Sequence, residues 1–327
     1  MKNLLLYKFC SGKNSKWIYF GVNYIRFLTP KFIFRSKLKK TLANFSSCSD
    51  KAYIEQRVDY YNKLSISKQL PENASKLENH TLQKKKKVYF FDTYQYTRWF
   101  PLSFRWFYVP GDITFVPEQP SIVKSRPLTP NNENSVLMKL NKVRHFIFVK
   151  DSIPFAEKEN LVIFRGKVNG KSSREKFMNM YYHHPMCDLG DVGKSVVPEW
   201  EKDKKTIREH LKYKFVMALE GNDVASNLKW VMSSNSIAVM PKPTCETWFM
   251  EGSLVPNVHY IEIKEDFSDL EERLTYYIEH LDDALTIIEN AHRYVSQFQD
   301  KSRENLISLL VLQKYFEKTN QTQNSKA

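Results

Sequence analysis

The chain has 327 residues, 42% hydrophobic and 14% aromatic, enough apolar material for a large core and for two domains, which excludes a disordered or fibrous protein. Fifty Lys and Arg against thirty-six Asp and Glu leave a formal charge of +14, so three partner classes compete: nucleic acid, an anionic membrane surface and a phosphate-bearing small molecule. Four scattered cysteines, Cys10, Cys48, Cys187 and Cys245, form no CxxC pair, which argues against a disulfide framework or a zinc site and for a reducing compartment.

Along the chain, the run from Leu4 to Tyr7 is too short for a signal-peptide core, and Arg26, Lys31 and Arg35 interrupt the aromatic stretch from Trp17 to Phe34. No segment approaches the roughly 20 apolar residues of a membrane helix, so a cytosolic or peripheral protein is expected. Residues 1–40 carry ten Lys or Arg and no Asp or Glu, interleaved with aromatic residues. That composition suits an anionic membrane interface, and it also suits a helix face packed on its own domain. Residues 50–68 read as a helix with Asp50 as N-cap, and 71–83 as a polar linker. Strands are expected at 88–92, 113–116 and 144–149, with Lys84 to Lys87 as an exposed lead into the first. Five prolines between Val109 and Asn134 argue against regular structure over most of that loop.

From residue 160 the pattern alternates. A strand at 161–164 precedes a helix through 182 with a capping box at Ser172 and Glu175; an amphipathic stretch follows at 207–211. Next come a strand at 215–219, a helix at 224–232, strands at 237–240 and 259–263, and helices at 268–280, 283–298 and 303–316. Short apolar strands alternating with helices predict a parallel sheet covered by helices, an α/β nucleotide-binding architecture. The expected domains are a basic aromatic segment (1–45), an N-terminal domain (46–155), a C-terminal nucleotide-binding domain (156–318) and a disordered tail (319–327).

In such a sheet, ligands bind beyond the carboxyl ends of the strands. Gly221, followed by Asn222, Asp223 and Ser226, stands at one of these junctions. The glycine permits a tight turn, and the polar groups can touch a ribose or phosphate; an ordinary capped helix would use the same residues. Arg165 and Gly166 follow a strand directly, and Arg174 and Lys229 sit on the first turns of neighbouring helices, so the three cations together make a phosphate site. No Asp-x-Asp or HExxH is present, so no motif calls for a divalent metal, and no GxSxG elbow or P-loop appears. Nucleic acid is argued against by the absence of any RRM, zinc-finger or helix-turn-helix signature.

Phe164-Arg-Gly166, His184-Pro-Met-Cys-Asp188, Tyr213-Lys-Phe215, the stretch from Glu220 to Lys229, Ser233 to Ser236, Glu246-Thr-Trp-Phe-Met-Glu251 and Val258-His-Tyr260 together resemble glycosyltransferase family 90, most of all its bacterial lipopolysaccharide-core branch. The resemblance covers roughly 109–316. It implies a GT-B-like fold, two Rossmann-like domains with C-terminal helices, and an inverting transfer of a hexose, glucose or galactose, from a UDP-sugar. The acceptor it implies is an anionic inner-core sugar of lipopolysaccharide, with the enzyme peripheral on the cytoplasmic face of the inner membrane. Inversion needs one carboxylate as general base. The counterpart of the family's aspartate is Glu118, with Asp151 and Asp112 as alternatives. Where relatives carry an arginine for the diphosphate this chain has Asn227, so Arg165, Arg174 or Lys229 would supply the charge. Glu246 would add contacts around base or sugar. A basic non-enzymatic protein binding nucleic acid or membrane, and a family 90 transferase acting on a capsule or protein acceptor, are the rival readings. Oligomeric state has no sequence signal.

Overall fold

In the computed structural model, which describes residues 11–321, the chain divides into two units that each gather discontinuous segments. The expectations for Leu4 to Tyr7 and Cys10 lie outside the described residues, as do residues 322–327 of the tail. An N-terminal unit holds Ser15–Val143, Cys245–Met250 and the chain from Phe298; a parallel-sheet unit holds Arg144–Thr244 and Glu251–Gln297.

The N-terminal unit begins with helix α1 (Lys16–Leu28), whose Ser15 hydroxyl accepts the Ile18 N–H. Its end is set by Pro30, which favours the extended conformation seen at Thr29. Helices α2 (Lys31–Ala43) and α3 (Lys51–Tyr61) follow, then a short strand β1 (Ser75–Lys76). Residues 88–92 are not a strand: they lie in helix α4 (Lys87–Thr97). Their unbroken apolar character has another cause, because α4 is covered on more than one side, by Phe20, Tyr24 and Phe27 of α1 and by His80.

Strands β2 (Arg105–Val109), β3 (Ser121–Val123) and β5 (Ser135–Leu137) join β1 in a sheet of order β1-β2-β3-β5. The proline-rich loop therefore carries two short strands, β3 and β4 (Ser125–Pro127), between its prolines. Residues 113–116 form no strand; Ile113 bonds the Ser125 hydroxyl through both its N–H and its C=O. Nor do 144–149, which leave the one-turn helix α5 (Lys142–His145) as irregular chain, with the Val149 N–H on the Ser233 hydroxyl.

The parallel-sheet unit contains β6 (Glu159–Gly166), α6 (Ser172–Tyr181), β7 (Cys187–Asp191), α7 (Ile207–His210), β8 (Tyr213–Met217), α8 (Leu228–Val231) and β9 (Ile237–Met240). The chain then visits the N-terminal unit, where β10 (Cys245–Thr247) pairs antiparallel with β4, and returns for β11 (Ile261–Glu262), α9 (Leu270–Glu279) and α10 (Leu281–Ser296). All five strands of the larger sheet run parallel in the order β11-β9-β8-β6-β7. Numbered within the sheet this is 2-1-3-4-5, a doubly wound order whose direction switches between β6 and β8. Phe177 and Met178 of α6, Leu274 of α9 and Ile287 of α10 pack on Val162, Phe215 and Val239 of the sheet. The capping box read at Ser172 is instead at α7, between Thr206 and Glu209, while Glu175 receives the Gly170 N–H.

The last helix, α11 (Lys301–Lys318), belongs to the N-terminal unit. There Glu304, 3% exposed, accepts from Arg57, Lys139 and the Trp248 indole at 2.7–2.9 Å. Trp248 stacks on Tyr61 with centroids 3.8 Å apart, so it and the buried Phe249 are core residues. Beyond α11, Gln321 still bonds the Arg105 carbonyl at 2.9 Å. Among the described residues, no helix is long and apolar enough to cross a membrane.

Candidate active site

Two loops at the carboxyl ends of β8 and β9 enclose a cavity of about 280 Å³. Ala218, Leu219 and Glu220 line it from the first loop, and the five residues from Met240 to Thr244 line it from the second. Val224, Ala225 and Leu228 complete an apolar wall, to which Ser173, Glu251 and Glu265 add polar groups. Ala218 still belongs to the ladder, donating to the Val239 carbonyl at 2.9 Å, so the wall is an extension of the sheet. The Glu220 carboxylate accepts the Thr244 N–H at 3.0 Å and its hydroxyl at 2.5 Å, tying the two loops together.

Arg174 sets the shape of the first loop. From the first turn of α6 its guanidinium donates to the carbonyls of Lys167 (2.9 Å), Leu219 (2.7 Å) and Glu220 (2.9 Å), bridging the ends of β6 and β8 across the switch point. Its close approach explains the glycines. A Cβ at Gly221 would lie 2.9 Å from Arg174 Nη2, and one at Gly166 would lie 3.3 Å from Nη1 and 2.6 Å from the Phe164 ring. Burial, and then the nearby charge of Arg144, pull the Arg174 pKa below its ordinary value, with Asp191 opposing.

The other predicted residues fall in several places. Asn222 is exposed and bonds Lys171, Asp223 is 5% exposed, and Ser226 is half-buried. Asn227 donates to the Met217 carbonyl at 3.0 Å, holding the turn to the end of β8. The helix read from residue 224 starts only at Leu228 and lasts a single turn, because residues 221–227 are turn and irregular chain. Lys229 is fully buried and paired with Glu251, whose residue lines the cavity. Arg165 turns to Asp188, bonding its carboxylate at 2.5 Å and its carbonyl at 2.8 Å. Burial alone would raise the Asp188 pKa, but bonds from Tyr213 and Arg165, with the charges of Arg165 and Lys205, hold it below the usual value.

Glu246 lies in the N-terminal unit, 0% exposed, with Arg126 Nε on one oxygen at 2.7 Å and the Tyr60 hydroxyl on the other. Asp112 pairs with Lys124 at 2.5 Å. Asp151 pairs with the buried Lys158 at 2.8 Å and accepts the N–H groups of Ile153 and Asn235. Glu118 is exposed, and among the described residues nothing pairs with its carboxylate. The structure thus brings the neighbourhood of Gly221 and Lys229 to the cavity and leaves Arg165 and Glu246 in other settings. Lys242 and Glu265 carry no signal in the sequence, whereas Glu251 ends the motif that runs from Glu246. No group of three or more His, Cys, Asp or Glu among the described residues is placed to hold a metal ion.

Residues 135–319 match glycosyl transferase family 90. Over 267 residues, 81% of this chain, it is 42% identical to the O-glucosyltransferase LpsA of Dichelobacter nodosus, 83% of which is covered. Every cavity-lining residue falls within the family match.

Proposed function

The chain belongs to glycosyltransferase family 90 and is a glycosyltransferase, and we propose that it moves glucose from UDP-glucose to an inner-core sugar of lipopolysaccharide with inversion. The similarity to an O-glucosyltransferase favours glucose over galactose. A GT-B-like arrangement, with the donor on the parallel-sheet unit, belongs to the same proposal, as does work at the cytoplasmic face of the inner membrane.

One observation carries the donor half: the cavity lies beyond the carboxyl ends of parallel strands, the edge at which doubly wound sheets hold nucleotides, and beside the switch point between β6 and β8. Its lining is mostly apolar with hydroxyls and three carboxylates against one ammonium, Lys242. Such a wall suits a neutral, hydroxyl-bearing nucleoside ring, with the diphosphate outside it and near Lys242. At about 280 Å³ it stands at the lower edge of the ~300–1,000 Å³ range of ligand pockets, a fit for one part of the donor.

In the reaction, the acceptor oxygen attacks the anomeric carbon as its bond to the UDP oxygen breaks, UDP departs with the electron pair, and a carboxylate takes the acceptor proton. Glu118 is the base of this proposal, because Asp112 and Asp151 are each engaged by a lysine. The test is transfer from labelled UDP-glucose and UDP-galactose to core-truncated lipopolysaccharide. Glucose should transfer, Ala225→Trp should raise the donor KM by about tenfold or more with circular dichroism unchanged, and Glu118→Gln should lower kcat by about a hundredfold. Undiminished donor use by a folded Ala225→Trp protein would remove the cavity from the reaction.

A further inference from the structure

The apolar surface of helix α1 is wider than the part that packs on α4. On that part, Phe20, Tyr24 and Phe27 meet Phe90, Phe91 and Tyr94 of α4 with ring centroids 5.0–6.1 Å apart, and the Tyr19 hydroxyl donates to Asp92 at 2.7 Å. These contacts fix the helix on the unit. Next to them around the helix, Trp17 is 91% exposed, Leu28 79%, Ile18 and Ile25 70% each, and Val22 42%. At about 100° per residue these five side chains fall in an arc of about 140°. Phe32, 68% exposed at the start of α2, lies just beyond the helix end in sequence.

Single exposed apolar residues are ordinary, but a stripe of five on one helix face marks an interaction surface. Its charge setting identifies the partner. No Asp or Glu precedes Asp50, while Lys13, Lys16, Lys37, Lys39 and Lys40 are all exposed. A second copy of the chain docked through this stripe would bring like cations together, since a two-fold contact sets the same patch on both sides. Phospholipid headgroups bring the opposite sign. With 13 residues α1 is about 20 Å long, too short to span a bilayer and suited to lie in its plane.

We propose that the outer face of α1 docks on an anionic lipid surface, with Trp17, Ile18, Val22, Ile25 and Leu28 entering the headgroup boundary and the neighbouring lysines meeting lipid phosphates. This binding rests on the proposed work at a membrane face and gives it a physical basis, but vesicle flotation reads it without glycosyl transfer, so its failure and the failure of the proposed reaction are distinguishable. The experiment is flotation of the full-length protein with vesicles of equimolar phosphatidylglycerol and phosphatidylcholine, and with phosphatidylcholine vesicles alone. The protein should float with the anionic vesicles, release as salt rises, and shift its tryptophan emission to the blue; the shift should be lost in Trp17→Gln, which separates Trp17 from the half-buried Trp99, while Trp106, Trp200, Trp230 and Trp248 are at most 6% exposed already. Ile18→Glu with Ile25→Glu should weaken vesicle binding by about tenfold or more while leaving the unfolding midpoint unchanged. Trp17→Gln, at the most exposed position, is the second variant and should weaken binding without disturbing the fold. Vesicle binding undiminished in both variants would overturn the proposal. So would equal binding to uncharged vesicles, or a dimer that the double variant dissociates in a protein that never floats.

Discussion

Gly221→Ala is expected to act through Arg174 and not through the turn itself. The new methyl carbon would stand 2.9 Å from Arg174 Nη2, inside the ~3.5–4.0 Å of ordinary contact. The guanidinium has little freedom to retreat, since three carbonyls hold its Nε, Nη1 and Nη2 at 2.7–2.9 Å. Giving up one charge-assisted hydrogen bond costs about 1.5–3 kcal/mol, and the partial exposure of these acceptors argues for the lower end, about 1.5 kcal/mol. Urea unfolding of Gly221→Ala, Arg174→Ala and the double variant isolates this term. In the Arg174→Ala background the obstacle is gone, so the second substitution should cost almost nothing and the coupling should be about 1–1.5 kcal/mol. Gly166→Ala is the contrast: its Cβ would meet the Phe164 ring at 2.6 Å, and removal of Arg174 should not relieve it. Because Leu219 and Glu220 line the cavity, Gly221→Ala should also raise the donor KM severalfold. Effects that add within about 0.5 kcal/mol would refute the argument.

Asp151→Asn should destabilise the protein by about 3–5 kcal/mol in urea unfolding, because it leaves the buried Lys158 ammonium without its counter-charge. Turnover lost at full stability would instead make Asp151 the base. Glu246→Gln should likewise cost about 3–5 kcal/mol by leaving the buried Arg126 guanidinium without its counter-charge, with the donor KM unchanged; a tenfold rise in that KM at unchanged stability would return Glu246 to the donor site. Burial holds His80 and His210 at about 4, against an ordinary 6.5. The unfolded chain therefore protonates first, and stability that is complete above pH 6.5 falls as pH drops toward 4, by up to about 3 kcal/mol for each histidine. A urea midpoint that stays flat between pH 7 and 5 would contradict this.

The elements legible in the sequence were those whose burial matched their period. β8 and β9 are short apolar runs because neighbouring strands and helices enclose them, and α9 to α11 show helical spacing. α4 has the sequence of a strand because a helix packed on several sides loses its polar stripe and looks like a central strand. β7, Cys-Asp-Leu-Gly-Asp, carried too little apolar character to be seen, being an edge strand with its first two residues half-buried. Site residues were harder. Gly221 was found as a turn, but its reason is a guanidinium arriving from α6, a contact 47 residues apart in the chain that no local pattern records. Arg165 and Lys229 look like free cations in a sequence; their partners Asp188 and Glu251 are 23 and 22 residues away. Sequence shows a charge, and only the fold shows what already neutralises it.

The central claim is that the cavity beyond β8 and β9 receives the nucleotide, and a crystal structure of the UDP complex tests it most directly. The uridine should rest against Ala218, Val224 and Ala225 with the diphosphate toward Lys242. UDP bound away from these residues, with the cavity unfilled, would contradict it.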